Sequence, residues 1–237
     1  MHTTELDPIL AQALGDPSKA GLKLVIGNKR YSSWSMRPWV AMTAFNIPFE
    51  EIKVKLQQPD TSSRIAEYSL AGRVPVLIAG ETTVWDSLAI CEYLAEQFQE
   101  KNMWPENVAQ RAMARSICAE MHSGFSDLRS AMWMNIGASF PGKGRTAGAQ
   151  ADIGRISEIW EECLAMSGAH AFLFGDFSIA DAYYAPVVMR FLTYAVSLAP
   201  ALQAYVERVA QHPAVARWMK EAEAEPDRLD YLDSYPD

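Results

Sequence analysis

The sequence predicts an α/β unit followed by an all-helical one. Three observations carry this. Short apolar runs of strand type are confined to residues 22–85, where they are interleaved with helical patterns. Beyond Trp104-Pro105, in a polar stretch that reads as a linker, only helical periodicity remains. The 237 residues, 49% of them hydrophobic, supply core for one large domain or two small ones. The predicted divisions are a leader at 1–21, an α/β domain at 22–101, a helical domain at 107–225 and a tail at 226–237.

Leu22 to Ile26 is a buried-strand run, broken by Gly27 and Asn28. Three serines, Ser32, Ser33 and Ser35, precede an apolar stretch through Phe45 that reads as a helix, with Pro38 in its first turn. Asn46-Ile47-Pro48 ends it, and Glu50 to Leu56 alternates as a strand. Thr61 or Ser62 caps a short helix through Tyr68. Val74 to Ile78 is the next strand, Gly80-Glu81 a hairpin turn, and Thr82 to Trp85 the return strand. Asp86 or Ser87 then caps a helix to about Phe98. The order βαβ then ββα is that of a thioredoxin-like domain. Helices follow at 107–136, 152–167, 178–196, 201–210 and 213–223. Ser178 and Asp181 have capping-box spacing, Phe177 could staple that helix start, and Pro186 implies a kink. The tail, with Asp227, Asp230, Asp233 and Asp237, reads as loosely ordered.

Composition excludes several classes. The net charge of −8 and a pI near 5.1 argue against nucleic acid as a partner. No run of about 18 apolar residues exists, so no membrane span is expected. Residues 1–20 lack the apolar core of a secretory signal and read as partly helical around Ile9 to Leu14. Cys91, Cys118 and Cys163, odd in number and widely spaced, read as buried free thiols of a cytoplasmic protein. None has metal-ligand spacing. His2, His170 and His212 show no ligand or triad pattern, and Gly142 to Thr146 lacks the spacing of a phosphate loop.

A helix start leaves backbone N–H groups unpaired and carries partial positive charge. Hydroxyls there cap the helix or hold an anion beside it, and the serines alone fit either role. Ser32-Ser33-Trp34-Ser35-Met36-Arg37 resembles the Ser-Ser-Cys-Ser-x-Arg signature of zeta-type glutathione transferases and the Ser-Ser-x-Ser-x-Arg start of related bacterial enzymes. Arg73-Val74-Pro75-Val76-Leu77 and Trp85-Asp86-Ser87-Leu88-Ala89-Ile90 agree with the same family in order and spacing.

The resemblance implies the glutathione transferase fold, glutathione as co-substrate, a homodimer and a detoxification role. It implies that Ser32 donates to the glutathione sulfur, with Ser33 in support; Ser35 and Tyr31 remain rivals. It implies that Val74, ahead of a cis Pro75, pairs with the cysteinyl part; a trans proline opening a strand is the plain alternative. Asp86 and Ser87 would take the ammonium and carboxylate of the γ-glutamyl group, or act only as an N-cap. Trp34, Gln58 and Arg73 are candidates for the glycyl end. Tyr31, Met121, Phe125 and Trp133, with Phe140, His122 and Arg129 nearby in sequence, are candidates for an electrophile pocket, ordinary helix core being the alternative for each.

The sequence departs from the zeta pattern. Trp34 replaces the signature's Cys, and Ser126 and Thr193 stand near the places where zeta isomerases use a Gln and an Arg for a dicarboxylate. The leading expectation is therefore a transferase conjugating glutathione to small hydrophobic electrophiles. A glutathione-dependent cis-trans isomerase and a non-catalytic interaction protein are the rivals.

Overall fold

The computed structural model describes residues 21–167 and 172–235. The predicted leader helix, His2 and His170 lie outside the described residues. The first part runs β1 (Lys23–Ile26), α1 (Ser33–Ala44), β2 (Glu50–Lys53), α2 (Thr61–Ala66), β3 (Val76–Ala79), β4 (Thr82–Trp85) and α3 (Ser87–Gln97). The sheet order is β2-β1-β3-β4, with β1 and β2 parallel and the β1–β3 and β3–β4 pairs antiparallel. This is the expected thioredoxin-like topology.

Side chains alternate across a strand, and here both faces are covered. Leu24, Ile26 and Leu77 point into the main core with Met36, Trp39 and Val40 of α1 and Ile90 and Leu94 of α3. Val25 and Val76 face the other way, onto Val54 and Ile65 of α2. The register Leu24↔Leu77 and Val25↔Val76 keeps like faces together; a slip of one residue would exchange them.

The rest is helical: α4 (Val108–Ser123), α5 (Ser126–Ala131), α6 (Ala147–Ser167), α7 (Ile179–Thr193), α8 (Pro200–Gln211), α9 (Pro213–Ala224) and the short α10 (Asp230–Asp233). Pro200 and Pro213 open α8 and α9, where a missing N–H costs nothing. The most extensive inter-element packing joins α1 to α7, so α1 bridges the sheet and the bundle. One apolar core runs through both and buries Trp39, Trp160 and Trp218. No described helix is long and apolar enough to cross a membrane.

Three expectations are corrected. The first helix begins at Ser33, so Pro38 lies inside it rather than in its first turn. The helix expected at 107–136 is two helices: α4 ends at Gly124, and Phe125 adopts φ +57° before α5 begins. The tail is pinned: Tyr235 stacks on Trp133 with ring centroids 4.8 Å apart, and the Trp133 and Asn135 N–H groups donate to the Leu232 carbonyl, each at 2.9 Å. Aromatic stacking and backbone pairing hold a segment that its acidic composition suggested was loose.

Candidate active site

Ser32 is the N-cap of α1, and its Oγ accepts from Ser35 N at 3.4 Å and donates to Ser35 Oγ at 2.8 Å. Ser35 is fully enclosed, and its Oγ also accepts from Gly27 N at 3.1 Å. Ser32 keeps a small exposure of 7%. Ser33 keeps the same 7%, so two of the three serines retain slight access next to the positive end of the α1 dipole.

Beside this end lies a cavity of about 560 Å³, lined by Trp34, Ala71, Arg73, Val74, Pro75, Trp85, Asp86, Ser87 and His122. Val74-Pro75 is cis. Asp86 adopts φ +78°, a region a non-glycine residue enters at a cost of about 1–3 kcal/mol. The conformation aims its carboxylate two ways. Oδ1 caps α3, accepting from Leu88 N at 2.8 Å and Ala89 N at 3.2 Å. Oδ2 lies 3.3 Å from His122 Nε2. His122 Nδ1 is 2.7 Å from the Tyr183 hydroxyl, which is 3.1 Å from Ser87 Oγ. Three helices therefore meet in one polar chain at the cavity wall.

Behind Trp34 the surroundings are electropositive. The Arg37 guanidinium is sandwiched between the Trp34 ring (4.3 Å to the centroid) and the Tyr183 ring (4.5 Å), and Arg129 stands 5.4 Å from the same Trp34 ring. Arg37 donates through Nε to the Tyr183 carbonyl, while its Nη1 and Nη2 find no hydrogen-bond partner in the protein. Arg190 donates to Ser33 Oγ at 3.3 Å, and its Nε is likewise unpartnered. Burial lowers the pKa of all three, and that of Arg190, which also feels Arg37 and Arg129, falls to about 9. A buried cation without a counter-charge is costly. Arg37 and Arg190 are such cations, and with the half-buried Arg129, which has Asp152 nearby, they favour negative charge near residues 32–34.

Residues 31–97 match the model of the glutathione S-transferase N-terminal domain, and residues 143–221 that of the C-terminal domain. The chain belongs to the glutathione S-transferase family. It is 31% identical over 99 residues to a probable maleylacetoacetate isomerase of Caenorhabditis elegans, spanning 42% of this chain and 46% of that one. It is 37% identical over 65 residues to a dichloromethane dehalogenase of Methylorubrum extorquens, spanning 27% and 23%. The chain thus spans half or less of the length of these curated relatives. A solved glutathione transferase homologue from Burkholderia gl BGR1, with bound glutathione, superposes with a TM-score of 0.67 at 26% identity, covering 87% of this chain and all of that one.

Within this glutathione S-transferase fold the expected site residues divide. Trp34, Arg73, Val74, Pro75, Asp86 and Ser87 come together around the cavity. Gln58 does not: it is exposed, and its side chain donates to the Leu56 carbonyl. Ser32, expected to be the sulfur donor, is not among the lining residues and pairs with Ser35, and Ser33 turns to Arg190.

Of the expected electrophile-pocket residues only His122 lines this cavity; Tyr31, Met121, Phe125 and Trp133 do not. The Tyr31 hydroxyl donates to Asp233 at 2.7 Å and accepts from Leu229 N at 3.1 Å, so the C-terminal segment occupies it. Met121 and Phe125 are core, at 1% and 7% exposure, as their apolar character and helical spacing also allowed. Trp133 packs under Tyr235. Ser126 opens α5, and Thr193 Oγ1 donates to the Asn135 carbonyl. Thr146 at the end of the glycine-containing loop accepts from Ala149 N, serving the α6 start. Ala71, Trp85 and Tyr183 were not foreseen in the site. His122 carries no local signal, because its partners are 36 and 61 residues away. Among the described residues no group of three or more His, Cys, Asp or Glu side chains could hold a metal ion.

Proposed function

We propose that the chain is a glutathione transferase in which the glutathione thiolate attacks a small hydrophobic electrophile, with Ser32 turning its one proton from Ser35 Oγ to the sulfur. A free thiol has a pKa of about 8.5, and lowering it by two units takes about 2.7 kcal/mol. A hydrogen bond to a charged group contributes about 1.5–3 kcal/mol, and a helix amino end about 0.3–1 kcal/mol. Together these reach the requirement, and the buried Arg37 and Arg190, with the half-buried Arg129, add to it in sign. The single observation that carries the reading is that Ser32 caps α1 two residues before Trp34, which lines the cavity.

In this reading the Asp86-Ser87 corner takes the γ-glutamyl group, the Val74 backbone the cysteinyl part, and Arg73 with Trp34 the glycyl end. The full enclosure of Ser35 supports Ser32 over it, and the occupied hydroxyl of Tyr31 argues against tyrosine. We further propose a homodimer, supported by Leu70 and Trp85, left 99% and 57% exposed. A cytoplasmic setting and a detoxification role complete the proposal, the former supported by three free, buried cysteines.

Ser32→Ala tests the reading: turnover should fall about ten- to a hundredfold, with glutathione affinity held within a few-fold. Undiminished turnover would remove Ser32 from this role. A cis-trans isomerase is the second reading, favoured by the relative named as a probable maleylacetoacetate isomerase. Comparing a maleyl compound with a chlorinated aromatic separates the two, and failure to be retained on immobilised glutathione would favour the non-catalytic alternative.

A further inference from the structure

The polar chain at the cavity wall has a direction, and the direction depends on one proton. Asp86, Ser87 and His122 line the cavity, and Tyr183 is buried behind them. A neutral imidazole carries one N–H. The Asp86 carboxylate only accepts, so it draws that proton to Nε2 across 3.3 Å. Nδ1 is then a lone pair, and the Tyr183 hydroxyl donates to it across 2.7 Å. The Tyr183 oxygen is left to accept, so Ser87 spends its proton on Tyr183 across 3.1 Å. In this state Ser87 shows only lone pairs to the cavity.

Protonation of His122 reverses every link. An imidazolium donates from both nitrogens, so the Tyr183 oxygen accepts from Nδ1–H and the Tyr183 proton turns to Ser87. The Ser87 proton is released toward the cavity. A hydroxyl that offers a proton holds a carboxylate, and one that offers only lone pairs repels it. Burial raises the Tyr183 pKa, so Tyr183 stays a neutral hydroxyl throughout.

We propose that His122 is a positioning residue: acting through Tyr183, it decides whether Ser87 donates to the γ-glutamyl carboxylate, so glutathione binding strengthens as His122 gains its proton. This rests on the reading of Asp86-Ser87 as the γ-glutamyl subsite. The charged and titratable groups facing His122 are few. Asp86 comes from the start of α3 and Tyr183 from α7. Arg129 of α5 donates to the His122 carbonyl at 3.3 Å, and Arg37 of α1 lies under the Trp34 ring that meets the imidazole edge at 5.3 Å. On α4 itself Glu120 is paired with Arg155, Arg115 with Glu92, and Cys118 is a buried thiol.

The test is calorimetric binding of S-methylglutathione to the full chain from about pH 5 to 7.5, the range in which histidine changes charge. The blocked thiol removes sulfur ionisation from the measurement. Affinity should fall about tenfold as pH rises, with a midpoint matching His122 titration followed by nuclear magnetic resonance. Tyr183→Phe keeps the ring and the imidazole but cuts the relay, so affinity should lose its pH dependence while His122 still titrates. His122→Gln, a second variant that does not rely on Tyr183, should also be flat. Tight but pH-independent binding by the unsubstituted protein would overturn the relay alone, as would an intact pH profile in either variant. No binding at any pH would overturn the glutathione site and the relay with it.

Discussion

At the scale of single residues the site is a contest between burial and charge. Arg37 is fully enclosed, with two guanidinium nitrogens lacking a protein partner, and burial lowers its pKa. Replacing an unfavourable buried charge by an apolar side chain of similar volume is commonly neutral or stabilising. Arg37→Met should therefore leave the urea midpoint unchanged or raised while turnover falls, because positive potential near Ser32 is lost. A lower midpoint with full turnover would assign Arg37 to structure. The candidate residues of the thioredoxin-like part are legible because each sits in a short motif: Ser32 before a helical run, Val74-Pro75 before a strand, Asp86-Ser87 at a helix start. His122 stands out in the sequence only as a pocket candidate and Tyr183 not at all, because their pairing comes from contacts between separate helices.

At the scale of elements, local spacing was a good guide to helix starts and a poor one to interruptions. The Ser178–Asp181 capping box forms as its spacing implies, with Asp181 also accepting from Leu173 N and Tyr205 Oη, each at 3.0 Å. The break at Gly124–Phe125 is marked only by Gly124 among polar neighbours, a weaker signal than a capping box, and α5 beyond it packs onto α6. His212, at the start of α9, accepts from Ala214 N at 3.3 Å and stacks on Phe177 at 3.9 Å, so the predicted Phe177 staple is drawn to another helix. Burial lowers the His212 pKa. The unfolded chain then binds more protons in the window just below the free value of about 6.5, so stability rises with pH there and is lost as pH falls. His212→Asn keeps a capping acceptor and should remove that part of the slope in a series of urea titrations. An identical slope in the variant would assign it to another group.

At the scale of the whole molecule, the C-terminal segment joins the two parts. It reaches Tyr31 ahead of α1, Trp133 and Asn135 after α5, and Lys55 through Asp227 at 2.7 Å. Partners about a hundred or more residues apart leave no periodic trace, which is why this strap was read as a loose tail. Removing residues 226–237 should lower stability by about 2–4 kcal/mol, from one stacked pair and several hydrogen bonds, measured by chemical denaturation; no change would show that the strap carries no weight. In the proposed function both parts of the fold serve one sulfur at the α1 amino end. The most direct measurement is a spectroscopic pH titration of the thiolate of bound glutathione, with and without Ser32→Ala. The bound thiol should ionise well below the free value of about 8.5, and the substitution should move it back toward that value. A bound thiol that ionises like free glutathione, or one indifferent to residue 32, would contradict the account.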